Sequence, residues 1–343
     1  MRRGGGELLL ALGSLLSLLA IGAIAELGVR MFSAVDLLGN SRDLFVANAY
    51  GSSNGNAPNT EAISFGQTVY TDPYGFRVPK GGVSEDAEKS EAILIVGDSV
   101  GFGPAVEEAD TFAGRLRARF PEKRVYNSSV IGYSTPDYRN VVDAFLPSHP
   151  EVTAVVLVYC LNDATSRISQ KIDRYLKEER ADVPEQKLTE WFRSFTLLSD
   201  LNDYLRSRSK LYLFVRHHLL GTQTRDWKAV LQLFSEGNTP DVEQSVSDLV
   251  GIASVLRDRS IPFVLVISPF EYQLRKPEDP ETQVPQRKLG DLLARAGVAY
   301  IDVRPYFDRA LPSRDYFLAY DSMHFSALGH RVMAEVIAKA LEH

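Results

Sequence analysis

A single cysteine, Cys160, is the whole thiol content of this 343-residue chain. It excludes an intrachain disulfide and any cluster of cysteine ligands around a metal, and it leaves the redox compartment open. Basic charge is also short: 38 Lys and Arg against 44 Asp and Glu leave a net charge of -6. Nucleic-acid binding calls for clustered cations, so nucleic acid is not an expected partner. No G-x-G-x-x-G or P-loop fingerprint and no internal repeat occurs, so no nucleotide cofactor is suggested. What is left is an ordinary globular composition, 45% hydrophobic and 24% charged, long enough for a sizeable core.

Long apolar runs are scarce, with one exception at the N-terminus. Arg2 and Arg3 precede an uncharged, mostly apolar run from Leu8 to Ala25, and Glu26 and Arg30 follow it. Crossing the hydrocarbon core as a helix takes roughly 18 or more apolar residues, so this run qualifies. Two readings fit, a retained membrane anchor and a cleaved signal peptide ending at the small-x-small triplet Ala23-Ile24-Ala25. The run is long for a signal peptide, which favours the anchor. Basic residues ahead of a span stay cytoplasmic, so either reading sends the rest of the chain outward.

The remaining chain divides at changes of pattern. Residues 1–34 form the anchor or signal segment, and 35–91, rich in Gly, Ser, Asn and Pro, read as a tether and an irregular preface. Within that preface, Tyr74-Gly75-Phe76-Arg77 reads as a turn with an aromatic anchor, a packing feature. From Ala92 strands and helices alternate. Ala92–Val96, Val125-Tyr126 and Ala154–Tyr159 are apolar, β-branched runs, and helical spacing separates them at Phe112, Leu116, Phe120 and at Tyr138, Val141, Val142, Phe145. From about 164 to 241 strands are missing and helical stripes take over, including Trp191, Phe192, Phe195, Leu198, Leu201 and the basic-flanked Leu211–Val215. His217 and His218, being adjacent, read as cap residues and not as a metal pair. The alternation resumes with a helix over 246–256, strand Phe263–Ile267, a helix over 289–296, strand Tyr300–Val303 and a last helix behind the cap residue Ser326. The expected fold is a three-layer α/β/α, flavodoxin-like domain over 92–343, with a mainly parallel sheet and an inserted helical cap.

The chemistry-bearing residues fall at the ends of these strands, where open α/β sheets bind ligands. Ser99 follows the first strand in Gly97-Asp98-Ser99, placed either as a nucleophile or as a helix cap. Asp321 and His324 precede the last helix, and an i, i+3 spacing lets the acid orient the base. Gly132 after the second strand, Asn162 after the third and the Ser99 N–H are candidate donors to a developing oxyanion. A divalent ion held by Asp98, Asp163, Asp321 and His324 is the runner-up reading of the same residues. His330 and His149 read as a surface residue on the last helix and a loop residue.

That order of blocks resembles the SGNH (GDSL-type) hydrolase family, over roughly Ala92 to the C-terminus apart from the insert. Gly97-Asp98-Ser99 matches the first block, Gly132 the second, Asn162 the third, and Asp321 with His324 the last. The resemblance implies Ser99 as nucleophile, His324 as base, Asp321 as its orienter, and Ser99, Gly132 and Asn162 as the oxyanion hole. One departure is Cys160, which stands where the third block usually has Gly. Gly75-Phe76-Arg77 and the leading apolar span resemble membrane-anchored bacterial members that accompany cell-surface polysaccharide systems. The implied function is an extracytoplasmic serine esterase acting on O-acyl, chiefly acetyl, esters of a surface glycan, without cofactor or metal. The alternatives are an O-acyltransferase, supplied by a membrane acyl-donor protein, and an idle scaffold in a surface-polymer assembly.

Overall fold

Strands that read as continuous apolar runs need cover on both faces, and the chain lays them at the centre of a sheet between two helical layers. The structure, a computed structural model, describes residues 4–32, 39–83, 89–165, 204–220, 222–234, 239–319 and 321–342. It begins with α1 (Gly4–Phe32), followed by β1 (Phe45–Tyr50), β2 (Ser53–Asn56), β3 (Glu61–Ser64), β4 (Gln67–Thr71) and β5 (Arg77–Val78). Then come β6 (Glu91–Gly97), α2 (Ser99–Phe102), α3 (Phe112–Arg119), β7 (Lys123–Asn127), α4 (Thr135–Phe145) and β8 (Val152–Tyr159). The insert contributes α5 (Lys210–Leu220) and α6 (Thr222–Leu233). The chain closes with α7 (Thr239–Asp258), β9 (Phe263–Ile267), α8 (Glu271–Arg275), α9 (Val284–Arg295), β10 (Ile301–Asp302) and α10 (Ala327–Leu341).

The main sheet has eight strands in the order β10-β9-β8-β6-β7-β5-β4-β3. From β10 to β7 every pairing is parallel, with Ile95 opposite Val156 and Leu94 opposite Tyr126. The expected neighbours β6 and β8 are side by side, and Ala92–Val96 and Val155–Tyr159 are fully buried. This is the expected α/β/α architecture with a largely parallel sheet.

Three differences have physical causes. The segment 35–91, expected to be irregular, adds β5, β4 and β3 to the sheet as antiparallel strands, while β1 and β2 form a separate hairpin. Its strands are two to six residues long, too short for alternation to stand out, and its glycines supply turns at positive φ such as Gly66 (80°) and Gly75 (78°). The strand expected at Tyr300–Val303 is only Ile301–Asp302. His330 is not a surface residue: it is 0% exposed, because it shares the inward stripe of α10 with Met333, Ala334 and Ile337. His149 stacks on Phe145, with ring centroids 3.6 Å apart.

At the N-terminus α1 runs past the expected Ala25 to Phe32, and Leu12–Phe32 is long and apolar enough to cross a membrane, with mean hydropathy 2.0 and none of it buried. Glu26 and Arg30 pair at i, i+4 (2.6 Å), which helps the helix carry both charges. The Trp191–Leu201 stripe lies outside the described residues.

Candidate active site

β6 ends in Gly97, and the next residue, Asp98, caps the short helix α2 by accepting the Val100 N–H at 2.8 Å. Ser99 is therefore the first residue of a helix that follows directly on a buried strand. Its expected role as a cap falls to Asp98. The helix ends after one turn at Gly103, φ 74°, a left-handed cap suited to glycine. Glycine is also required inside it, since a Cβ on Gly101 would sit 2.4 Å from Ser129 Oγ. Arg77, the last residue of the aromatic turn, is 1% exposed and donates to the carbonyls of Phe102, Gly103 and Val106, pinning the far side of this loop.

The Asp321–His324 segment reaches Ser99 from the opposite end of the sequence. Asp321 Oδ1 accepts the N–H groups of Met323 and His324, both at 2.8 Å, folding the four residues into a tight turn. That turn leaves Oδ2 for the His324 Nδ1, at 2.8 Å, and aims Nε2 at Ser99 Oγ, also 2.8 Å away. The turn is braced by the bridge between Phe317 and Phe325 and by the insert, where Asp226 accepts the Ser322 hydroxyl at 3.0 Å. Phe65, from the tip of the β3–β4 hairpin, sets its ring against His324 with centroids 5.2 Å apart.

Burial alone would pull the imidazole of His324 down, but the charge and hydrogen bond of Asp321, helped by Asp98, lift it above the ordinary histidine value. Burial pushes the Asp321 carboxyl up; His324 and the two backbone N–H groups outweigh that and hold it below the usual carboxylate range. The pair is thus a base whose imidazolium is stabilised when it forms.

The expected oxyanion donors stand free of other duties. Among the described residues the N–H of Gly132 (φ 90°) has no acceptor within the protein. The buried Oδ1 of the Asn162 side chain accepts from no protein group. Asn162 lies on the turn Leu161–Ala164 after β8.

Beneath the site lies a feature the sequence did not reveal. Asp163 is fully buried, and its Oδ2 accepts the Tyr138 hydroxyl at 2.6 Å and the Cys160 N–H at 2.7 Å. After burial, the carboxylate of Asp98, itself buried, is the strongest influence on its charge. Two buried carboxylates this close retain a proton between them, and burial plus the Asp98 charge push Asp163 far above its ordinary value. Cys160, where the third block usually has Gly, is fully buried and its thiol is pushed up by burial, so it serves here through its N–H. The runner-up metal reading gains no support, since among the described residues no three His, Cys, Asp or Glu converge as metal ligands.

The GDSL-like lipase/acylhydrolase family matches residues 95–332, a span that runs from the end of β6 into α10. This chain belongs to the GDSL-like lipase/acylhydrolase family. Membership brings serine-hydrolase and esterase chemistry, and the span takes in Ser99, Gly132 and Asn162 after their strands and Asp321 and His324 ahead of the last helix. Solved structures similar to the chain include TesA, at 14% identity over 73% of this chain and 98% of that one, with a TM-score of 0.40. A lipolytic G-D-S-L protein from Veillonella parvula is similar at 12% identity, over 73% and 97% of the two chains, with a TM-score of 0.41. A catalytic variant of Axe2, an acetylxylan esterase from Geobacillus stearothermophilus, is similar at 13% identity, over 75% and 97%, with a TM-score of 0.40. No curated protein matches the chain.

Proposed function

We propose that this GDSL-family hydrolase is an extracytoplasmic serine esterase, held in the membrane by α1, that removes O-acyl groups such as acetyl from a cell-surface glycan. The observation that carries the reading is the relay of two 2.8 Å contacts, Ser99 Oγ to His324 Nε2 and His324 Nδ1 to Asp321 Oδ2. In this mechanism His324 takes the hydroxyl proton as Ser99 Oγ attacks the acyl carbon, and Asp321 holds the tautomer and stabilises the imidazolium. The oxyanion meets the N–H groups of Ser99 and Gly132 and the amide of Asn162. Collapse breaks the bond to the sugar oxygen, which leaves with the proton from His324, and acyl-Ser99 remains. Water then adds to the acyl carbon, giving its proton to His324, and the second collapse returns that proton to Ser99 and releases the acid.

A fluorophosphonate probe tests the assignment on the full chain. The adduct should map to Ser99, labelling should vanish in Ser99→Ala and His324→Ala, and it should weaken in Asp321→Asn. Labelling that survives Ser99→Ala would remove the nucleophile. Supplying an acyl donor with and without a glycan acceptor reads the reaction class: free acid supports the esterase, and acylated glycan in excess of free acid sinks it. For the anchor, the intact N-terminus should persist in membranes; a mature N-terminus at Glu26 would show a cleaved signal instead.

A further inference from the structure

Among the described residues, one cation near the site has no anion to answer it. The Nε of Arg206 is buried and has no hydrogen-bond partner, and among the described residues no carboxylate pairs with this guanidinium. Arg206 as a whole is half-buried, so its guanidinium keeps an accessible side at which a ligand can supply the anion.

Packing leads from Arg206 to the catalytic histidine. Arg206 belongs to the helical residues 204–208, just ahead of α5. Its neighbour Ser207 packs so closely on Gly39 that a Cβ there would lie 2.3 Å from the Ser207 Cβ. The Gly39 carbonyl accepts the Phe65 N–H at 2.8 Å, and the Phe65 ring abuts His324. In keeping with this, the positive charge of Arg206 is felt at His324, where it opposes the imidazolium.

The segment is also held in place from outside the catalytic domain. Glu26 on α1 accepts from the Ser209 hydroxyl (2.8 Å) and from the N–H groups of Lys210 (3.0 Å) and Leu211 (2.9 Å), capping α5. Arg30 donates to the Arg208 carbonyl at 2.6 Å. The four bonds fix the backbone on the C-terminal side of Arg206, so less ordering is left for a ligand to impose on this segment.

We propose that Arg206 is an anion-binding subsite next to the catalytic histidine, which makes O-acylated acidic sugars, bearing a carboxylate near the acyl ester, the substrate class of this enzyme. The inference rests on the esterase reading above and names its substrate. The surroundings of His324 favour a sugar acid over a fatty ester. The Phe65 ring abuts the imidazole and the Arg206 charge acts on it, and with the expected donor Asn162 they offer a flat apolar face, a positive charge and an amide. Arg suits a carboxylate because its planar fork binds two oxygens at once.

The test uses the full chain in detergent and two acetylated monosaccharides, methyl glucuronoside with its carboxylate and methyl glucoside without it, each followed by acetate release. The quantity read is the ratio of kcat/KM for the acidic over the neutral ester, which a general loss of folded enzyme does not move. In the wild type the acidic ester should lead by about 10- to 100-fold, the worth of one charge-assisted hydrogen bond. Arg206→Gln should bring the ratio near one, Arg206→Lys should keep part of it, and Arg206→Glu should reverse it. Equal rates for both esters in the wild type would overturn the subsite and leave the esterase standing. A ratio untouched by Arg206→Gln would assign the selectivity elsewhere and also overturn it. Acetate release from neither ester would overturn the esterase reading and the subsite with it. Arg206-dependent cleavage of phosphatidylglycerol vesicles in preference to the glucuronoside would replace the sugar acid with a lipid.

Discussion

Replacing Asp163 by Asn should leave the protein nearly as stable as the wild type in mild acid and more stable at neutral pH. Asp163 Oδ2 accepts from Tyr138 and Cys160, while Oδ1 meets no donor from the protein and the carboxyl faces Asp98. The wild-type fold therefore retains a proton on this pair that the unfolded chain releases. An unfolded Asp titrates near about 3.9, and in the fold the value lies far higher. Between the two values the unfolded state binds fewer protons than the native state, so stability falls as pH rises, by about 1.4 kcal/mol per pH unit. Asn needs no proton: its oxygen can accept the same two bonds and its amide can donate to Asp98. The difference between variant and wild type should thus grow in favour of the variant as pH rises from 5 to 7. Asp163→Ala leaves the Tyr138 hydroxyl and the Cys160 N–H without an acceptor and should cost about 1–3 kcal/mol for each. Urea unfolding of the full chain in detergent, followed by tryptophan fluorescence, measures both, since Trp227 on α6 of the insert is 2% exposed. A stability difference for Asp163→Asn that stays flat with pH would refute the shared proton.

The remaining predictions concern the same loops and their supports. Because Asp321 lifts His324, the acid limb of kcat/KM should lie above the ordinary imidazole value of about 6.5, with activity rising as His324 loses its proton. Asp321→Asn should move that limb to lower pH and reduce kcat by about 10,000-fold, read from the pH–rate profile; an unmoved limb would separate Asp321 from the base. Arg77→Ala strips three buried carbonyls of their donor, and at about 1–3 kcal/mol for each orphaned group the urea midpoint should fall steeply, with Arg77→Lys recovering part of the loss. His330 is kept neutral by burial, its value drawn down to about 3, and its Nδ1 accepts the Phe112 N–H at 3.3 Å. The unfolded chain takes up this proton first, so His330 lowers stability progressively as pH falls from about 6.5 towards 3. His330→Leu should cost about 1–3 kcal/mol at pH 7 and lose that penalty on acidification to pH 5, measured by the same unfolding curves.

The legible parts of this fold were those with a physical reason to look uniform. β6, β8 and β9 are covered on both faces, so each is written as an unbroken aliphatic run and each was placed within two residues of its observed ends. The N-terminal strands escape that rule. β2 is Ser-Asn-Gly-Asn, all four buried, and its place is held by polar bonds instead of apolar contact. The Asn56 amide donates to the carbonyls of Gly75 (3.1 Å) and Ser129 (3.2 Å), and the Ser53 hydroxyl donates to Asp137 at 2.6 Å. Nothing in a four-residue polar stretch announces such partners. His330 is a different case, since its spacing to Met333 and Ile337 put it on the buried stripe, and a polar residue type was given more weight than the period.

The same division runs through the site and bears on substrate recognition. Ser99, Gly132, Asn162, Asp321 and His324 could be picked out because each sits at the end of a regular element, where geometry restricts what the next residue can do. Asp98 and Asp163 were visible as letters, but their pairing arises only because β6 and β8 are neighbours and end level with each other, Gly97 opposite Val158. Phe65 was not singled out, and Arg206 stood out only as one of the basic residues flanking Leu211–Val215. One comes from a hairpin tip with φ 49° and the other from an insert whose fold depends on Glu26 of α1, so no periodic constraint marks either. On the proposed mechanism, the groups that would make and break the ester lie beside the sheet and the last helix, and those that would choose the ester come from the hairpin and the insert. A relative could keep the first set and change its substrate by altering Phe65, Arg206 or the α1 clamp alone. Exchanging residues 204–211 between two such chains should therefore carry over the preference between acidic and neutral esters while fluorophosphonate labelling of the nucleophile persists.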